Sequence, residues 1–393
     1  MSRRLEAASF AGRRALLFFV LLAVVALFVV APGASRALAD EKDYGRTIYL
    51  TDGSTINDFG WFDRTNLLLY AVNPHGAILW KHDINTNTRT KLLSATAIDE
   101  MLPKGFSPAD AKVAASSDHK YLAVWAPAPS PSKKPFFRVL AIGDEDKPEP
   151  VYFAGFPSDF WVGAFAWDPS APYVYVAQEP YTNPQITESI GRLSVENQSY
   201  IGLVAKKDVD VVERILVPAS GSDVLVVSWS YKGDYPRDRY LLKLDVNTDK
   251  VAPLASIPFV ADASVSADGK SVLYTLAKRD TDGSGGVDGG DASAVSRLTV
   301  ASKANDVLFK YSGFNMLPKE SPGGKWIGFL RIYRQLDHPP SGSDPRDLWV
   351  YSPSTGDEIL VMRGASDYTF TPDGTRILAL DSKRLTFYIY SLP

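Results

Sequence analysis

Cysteine is absent from all 393 residues. That excludes disulfide crosslinks, thiolate nucleophiles, thiolate metal centres and a lipid-bearing cysteine at a processing site. Histidine is scarce, with four in the chain. His75 and His119 fall in predicted turns, His82 in a predicted strand and His338 in a long connection, a scatter that does not point to a metal-centred catalytic site. The formal net charge is −3, so there is no global basic field of the kind nucleic-acid binding requires. No Gly-x-Ser-x-Gly elbow, Walker loop or dinucleotide fingerprint is present. The nearest approach, Gly283-Ser284-Gly285, lacks a third glycine and a following helix. Sustained helical periodicity is missing beyond Asp40.

What the chain does contain begins with a leader. Arg3, Arg4, Arg13 and Arg14 precede an apolar run over residues 15–31, then Pro32 and Gly33 break the helix. Ala37-Leu38-Ala39 places small residues at −3 and −1, so cleavage is expected to leave Asp40 as the new N-terminus. The run is close to membrane-spanning length, and an uncleaved signal anchor stays open as the alternative. Arg13-Arg14 before Ala15-Leu16-Leu17 also resembles a twin-arginine signal. The expected division is a signal peptide or anchor over 1–39 and one domain over 40–393. The expected location is the periplasm or the exterior, or the outer side of a membrane if the anchor is retained.

Within the mature chain, short runs of Val, Leu, Ile, Tyr and Phe recur between Gly, Pro, Asn and Asp clusters. A turn of small and polar residues leading into an apolar strand is clearest at Ser266-Ala267-Asp268-Gly269-Lys270, Ser321-Pro322-Gly323-Gly324-Lys325 and Thr371-Pro372-Asp373-Gly374-Thr375. Weaker copies centre on Thr65, His119, Ala171 and Ser222, and successive copies are 47 to 55 residues apart. A period near this length signals a β-propeller, each repeat being one four-stranded blade. The expected fold is all-β, a seven-bladed propeller. Its last blade lacks a fourth strand, which residues 47–51 are placed to supply, closing the ring and removing exposed edges. The turns at 266, 321 and 371 resemble the repeats of TolB-type, WD-repeat-like bacterial propellers. That resemblance covers the propeller alone, without the domain that precedes it in TolB, and implies a fold and a preference for protein or peptide partners.

Two segments carry candidate chemistry. Residues 280–291 match a twelve-residue calcium loop: Asp280, Asp282 and Ser284 at positions 1, 3 and 5, and the sharp-turn Gly285 at 6. The Gly286 carbonyl follows at 7, Asp288 at 9, and Asp291 stands where an EF-hand has its bidentate Glu. Ser284 and the short Asp291 depart from the pattern and the flanks read as strands, so a weak structural calcium site is expected. The competing reading is a solvated acidic loop. The second feature is a set of long connections on one face of the ring, over 126–135, 178–190, 230–239, 278–295 and 331–346. They carry Tyr181, Tyr231, Tyr235, Arg237, Arg239, Tyr333, Arg334, His338 and Arg346, a mix typical of interface anchors. Trp125, Trp161, Trp167, Trp229, Trp326 and Trp349 fall mostly in predicted strands, where packing between blades accounts for them, with sugar stacking as the sharper alternative. The function read from these features is an exported module binding a protein or peptide. The alternative is a hydrolase or lyase acting on a carbohydrate or lactone at the propeller mouth. Polar inner-strand residues converging on the axis distinguish the second from the first.

The calcium reading predicts about one equivalent of calcium taken up by the chelator-treated protein at submillimolar to millimolar affinity, with a raised Tm. Both effects should vanish in Asp280→Ala/Asp282→Ala. Calorimetry showing no uptake at millimolar calcium rejects the site.

Overall fold

The repeated turn closes the first hairpin of a blade through one hydrogen-bonding scheme. In four blades a buried hydroxyl (Ser116, Ser266, Ser321 or Thr371) accepts from the backbone N–H five residues on, at 3.0 Å each time. The backbone closes around it, for example Ser266 N–H to the Ser271 carbonyl at 2.8 Å and Gly269 N–H to the Ser266 carbonyl at 2.9 Å. In three of these turns the hydroxyl also donates to an aspartate, Asp118, Asp268 or Asp373. The fourth residue is left-handed: φ is 61° at His119, 71° at Gly269, 73° at Gly324 and 70° at Gly374. Glycine takes that conformation without steric cost, which is why the motif is legible in the later blades and blurred at His119. In the third blade buried Asp168 replaces the hydroxyl and accepts from the Ser170 and Ala171 N–H groups.

The computed structural model describes residues 36–37, 46–49 and 53–393, apart from 131–132, 144–147, 159, 179–187, 206–210, 219–222, 233–234, 258–259, 267, 278–291, 311–312 and 333–345. The strands form seven small antiparallel sheets in a ring, a seven-bladed β-propeller. The first six blades are consecutive meanders, beginning with Thr55–Trp61, Asn66–Asn73, Gly76–Asp83 and Thr88–Leu93. The seventh contains Ala365–Phe370, Arg376–Asp381 and Thr386–Ser391, and its fourth strand is Arg46–Tyr49, antiparallel to Thr386–Ser391. Arg36–Ala37 lies parallel to the outermost strand of the sixth blade, Glu358–Met362. The rest of residues 1–39 lies outside the described part of the chain. Among the described residues no helix is long and apolar enough to cross a membrane.

Each blade alternates side chains between its two faces, and apolar faces of neighbouring blades meet. Among the described residues seven apolar clusters lie one at each seam. The seam between the seventh and first blades joins Leu378, Leu380, Phe387 and Ile389 to Ile56, Leu67, Leu69 and Ala71, with Ile48 fully buried among them. Between the sixth and seventh, Gly328 permits close approach: a Cβ there would lie 2.5 Å from the buried Tyr368 ring. Two features depart from the sequence reading. A short helix, Ala95–Met101, bridges the first and second blades, capped by the Ser94 hydroxyl accepting from the Ala97 N–H. Two helical turns are too short for periodicity to show them. The expected loop over 230–239 is instead a long hairpin, Asp223–Lys232 with Tyr235–Asp245, paired out to Lys232 opposite Tyr235. The aromatic-rich sequence around Trp229, Tyr231 and Tyr235 favours strand over loop.

Removing a buried turn hydroxyl strands a backbone donor. Ser266→Ala and Thr371→Val should each lose about 1–2 kcal/mol in denaturant unfolding. The turn carboxylates add a pH dependence. Burial pushes Asp63 up, but hydrogen bonds from Thr65 and Asn66 and the Lys81 ammonium outweigh it and hold its pKa at about 2. The Lys270 N–H and the Ser266 hydroxyl lower Asp268, and the Thr371 hydroxyl and Thr375 N–H lower Asp373. A depressed carboxylate stabilises the fold above its unfolded pKa, and that contribution disappears as pH falls through the folded value. Tm should therefore fall between about pH 4 and pH 2, and Asp63→Asn should flatten that slope; an unchanged slope rejects the assignment.

Candidate functional site

The first strands of neighbouring blades lie against each other, most closely between the first and second, third and fourth, and fifth and sixth blades, which places the first strand on the inner side of the ring. Most are bulged early: shifts fall between Ile56 and Asp58, Val162 and Ala164, Val212 and Arg214, Val260 and Ala263, Met316 and Lys319, and Ala365 and Asp367. A bulge re-aims side chains that a regular strand would alternate. One register position recurs, opposite the fifth residue of the second strand. It holds Asp58, Lys112, Ala164, Arg214 and Asp367, paired with Tyr70, Trp125, Ala177, Val227 and Leu380. In the fifth blade Asp262 takes the place, its N–H donating to the Thr275 hydroxyl at 3.2 Å.

These charges tie blade to blade. Asp58 Oδ2 accepts from the Val113 N–H in the next blade at 2.9 Å, and Oδ1 from the Phe59 N–H at 3.0 Å. Asp262 Oδ2 accepts from the Leu317 N–H, again one blade on, at 2.9 Å. Its Oδ1 receives Arg214 Nη2 from the preceding blade at 2.6 Å. Lys319 Nζ lies 3.3 Å from Asp367 and donates to the Tyr368 carbonyl at 2.7 Å. Burial raises the Asp58 pKa, partly offset by its two backbone donors and by Lys112.

The third blade interrupts the pattern. Gly163 and Ala164 occupy the bulge, and without a long side chain a hollow of about 370 Å³ opens there. It is lined by Lys112 and Trp125 of the second blade, Gly163, Ala164 and Phe165 of the third, and Glu213, Arg214, Ile215 and Leu216 of the fourth. Trp125 is fixed by Nε1 donating to the Val162 carbonyl at 2.6 Å, and the Lys112 ammonium lies 5.5 Å from its ring centroid. Two cations, a carboxylate and two aromatic rings thus surround one concavity, within the range of about 300–1,000 Å³ usual for small-molecule sites.

Among the described residues, none of those expected from sequence as a metal ligand or interface anchor lines this hollow. Asp280, Asp282, Ser284, Gly286, Asp288 and Asp291 lie outside the described residues, as do Tyr181, Tyr333, Arg334 and His338. Tyr231, Tyr235, Arg237 and Arg239 are on the long hairpin of the fourth blade. Arg346 precedes Asp347–Tyr351, and its carbonyl accepts from the Ala365 N–H at 2.7 Å. Lys112, Glu213 and Arg214 carry no local motif; the signal that marks Lys112 and Arg214 is a charge at the same first-strand position in five blades, at Asp58, Lys112, Arg214, Asp262 and Asp367. Trp125 and Trp167 do bridge blades, Trp167 Nε1 donating to the Ala114 carbonyl at 2.9 Å.

No family model matches the chain and no curated protein matches its sequence. Similar solved structures include an oligogalacturonate lyase from Vibrio parahaemolyticus, 9% identical with a TM-score of 0.63 over 91% of this chain and 96% of that one. Hydrazine synthase from Kuenenia stuttgartiensis is 13% identical, with a TM-score of 0.54 over 90% and 99%. TolB from Acinetobacter baumannii is 14% identical, with a TM-score of 0.42 over 81% and 77%. The first two share the propeller fold at identities too low to carry an activity across.

Asp262 serves two partners at once, so Asp262→Ala should cost about 2–3 kcal/mol, less than a fully buried pair because Arg214 stays partly exposed. Arg214→Ala should cost less, since the Leu317 N–H keeps its acceptor. Urea unfolding in which both variants match the parent would reject the seam role.

Proposed function

We propose that the protein is an exported binding module whose ligand seat is the hollow at the third blade, and that the ligand is a saccharide. The observation that carries this is the lining itself: Lys112, Glu213 and Arg214 beside Trp125 and Phe165. Ammonium, carboxylate and guanidinium groups are the partners that paired hydroxyls require, and aromatic faces suit the apolar faces of sugar rings. A concave seat of this size fits one end of a chain or a short oligosaccharide better than a flat protein surface. Binding is favoured over catalysis because the ring's charges are engaged with each other and with backbone. Arg214 is held by Asp262, Lys319 by Asp367, and Asp58 by two N–H groups. The oligogalacturonate lyase among the similar structures is compatible with a carbohydrate ligand, and the hydrazine synthase shows that the fold does not dictate one.

The test is a panel of glucose-, galactose- and xylose-based oligosaccharides, neutral and uronic, followed by calorimetry and tryptophan fluorescence. Binding should perturb Trp125 emission, and Ala164→Leu, which fills the hollow, should weaken it at least tenfold with Tm little changed. A panel with no binder, or binding indifferent to Ala164→Leu, overturns the reading.

A further inference from the structure

The repeat itself defines what the hollow lacks. In the first blade the ring position is Asp58, and its carboxylate accepts the Val113 N–H of the second blade. In the fifth it is Asp262, accepting the Leu317 N–H of the sixth. Both bonds span 55 residues, one repeat. Val113 lies opposite Val124, the fourth residue of its second strand, and at that register its N–H turns away from the strand partner toward the preceding blade.

Ile215 of the fourth blade lies opposite Val226 and Phe165 of the third opposite Val176, each again the fourth residue of the second strand. Their N–H groups therefore face the preceding blade as that of Val113 does. The preceding ring residue is Ala164 for Ile215 and Lys112 for Phe165, and neither can accept. Among the described residues no side chain accepts from either N–H. Both residues line the hollow, together with the Lys112 ammonium and the Arg214 guanidinium, whose side chain is 37% exposed although one of its donors serves Asp262.

We infer that the hollow is an oxyanion seat in which a ligand carboxylate takes the place of the aspartate missing at Ala164, receiving the Ile215 N–H and flanked by Lys112 and Arg214. Charge-assisted bonds to backbone N–H groups and cations are the strong form of carboxylate recognition. Glu213 on the same wall, and Asp262 neutralising Arg214, leave room for one negative charge and oppose a second, so a carboxylate is preferred to a phosphate dianion. Resting on the saccharide reading, this makes the ligand an acidic sugar, with the uronate carboxylate seated and the ring against the aromatic wall.

The experiment compares glucuronate, glucose, acetate and inorganic phosphate by calorimetry on the parent, Lys112→Ala and Ala164→Asp. Glucuronate should bind at least tenfold more tightly than glucose or phosphate. Lys112→Ala should lose most of that preference, weakening glucuronate at least tenfold more than it weakens glucose. Ala164→Asp, which restores the carboxylate within the chain, should abolish glucuronate binding and raise Tm in the absence of ligand. Should Ala164→Asp fail to fold, Lys112→Ala still decides. Glucose and glucuronate binding alike, with Lys112→Ala altering neither, overturns the oxyanion seat and leaves the saccharide reading standing. Acetate binding as tightly as glucuronate, and lost in Ala164→Asp, supports the seat and overturns the saccharide reading.

Discussion

The constraint on which this structure depends is the unpaired inner edge. A blade's first strand pairs with the second on one side and has no strand partner on the other, so its outward N–H and carbonyl groups must be met by other means. Buried backbone groups left without partners cost about 1–3 kcal/mol each. The chain meets this with side chains reaching across from a neighbouring blade. Asp58 and Asp262 take N–H groups. Trp61 Nε1 donates to the Phe370 carbonyl, Trp125 to Val162, Trp167 to Ala114, and the Tyr368 hydroxyl to Leu317. Each of these bonds crosses a seam, so satisfying the edge and fastening the blades are one act.

The same reasoning explains why a cysteine-free chain can hold a ring of this size. At the seam where the two ends of the chain meet, Ile48 is buried against both blades, and Arg384 donates through Nε and Nη2 to the Ile56 and Asn57 carbonyls. The Ile56 N–H returns a bond to the Arg384 carbonyl at 2.7 Å. Apolar burial supplies the non-directional part of each seam and the edge bonds supply its register. Tyr368 does both: its ring is fully buried against Gly328 while its hydroxyl fixes the left-handed Leu317 of the preceding blade. Burial drives that hydroxyl's pKa far above the ordinary tyrosine value, which keeps it a donor throughout the working range.

Legibility in the sequence follows from locality. The turn at Ser266 is written in five consecutive residues whose hydroxyl, carboxylate and glycine act on each other, so the repeat and hence the fold class can be read directly. The hairpin at 230–239 misleads because polar and aromatic residues serve loop and edge equally well. The candidate site is illegible for a different reason. Lys112, Ala164 and Arg214 are about fifty residues apart, and nothing near any of them marks it. Only the bulged register places them side by side, and a bulge leaves no clear signature in a strand six residues long. Ala164 is harder still, since an alanine among apolar neighbours is unremarkable until its counterparts are known to be Asp58, Lys112, Arg214 and Asp367.

Such a fold can acquire a site by losing a side chain. A propeller repeats one device around its ring, and the device already gathers backbone donors and charged side chains on the inner strands, where partial burial makes each interaction stronger than in water. Shortening the side chain at one position removes an internal partner while its neighbours keep theirs. On this proposal, what remains is a hollow with the electrostatic shape of the missing carboxylate. Specificity then comes from subtraction. On the proposal above, the fourth blade needs no new donor for a ligand: Ile215 supplies the N–H that Val113 gives to Asp58, and Arg214 is already oriented by Asp262. The missing acceptor is affordable because apolar burial and the tryptophan bonds, Trp125 to Val162 and Trp167 to Ala114, still fasten the neighbouring seam.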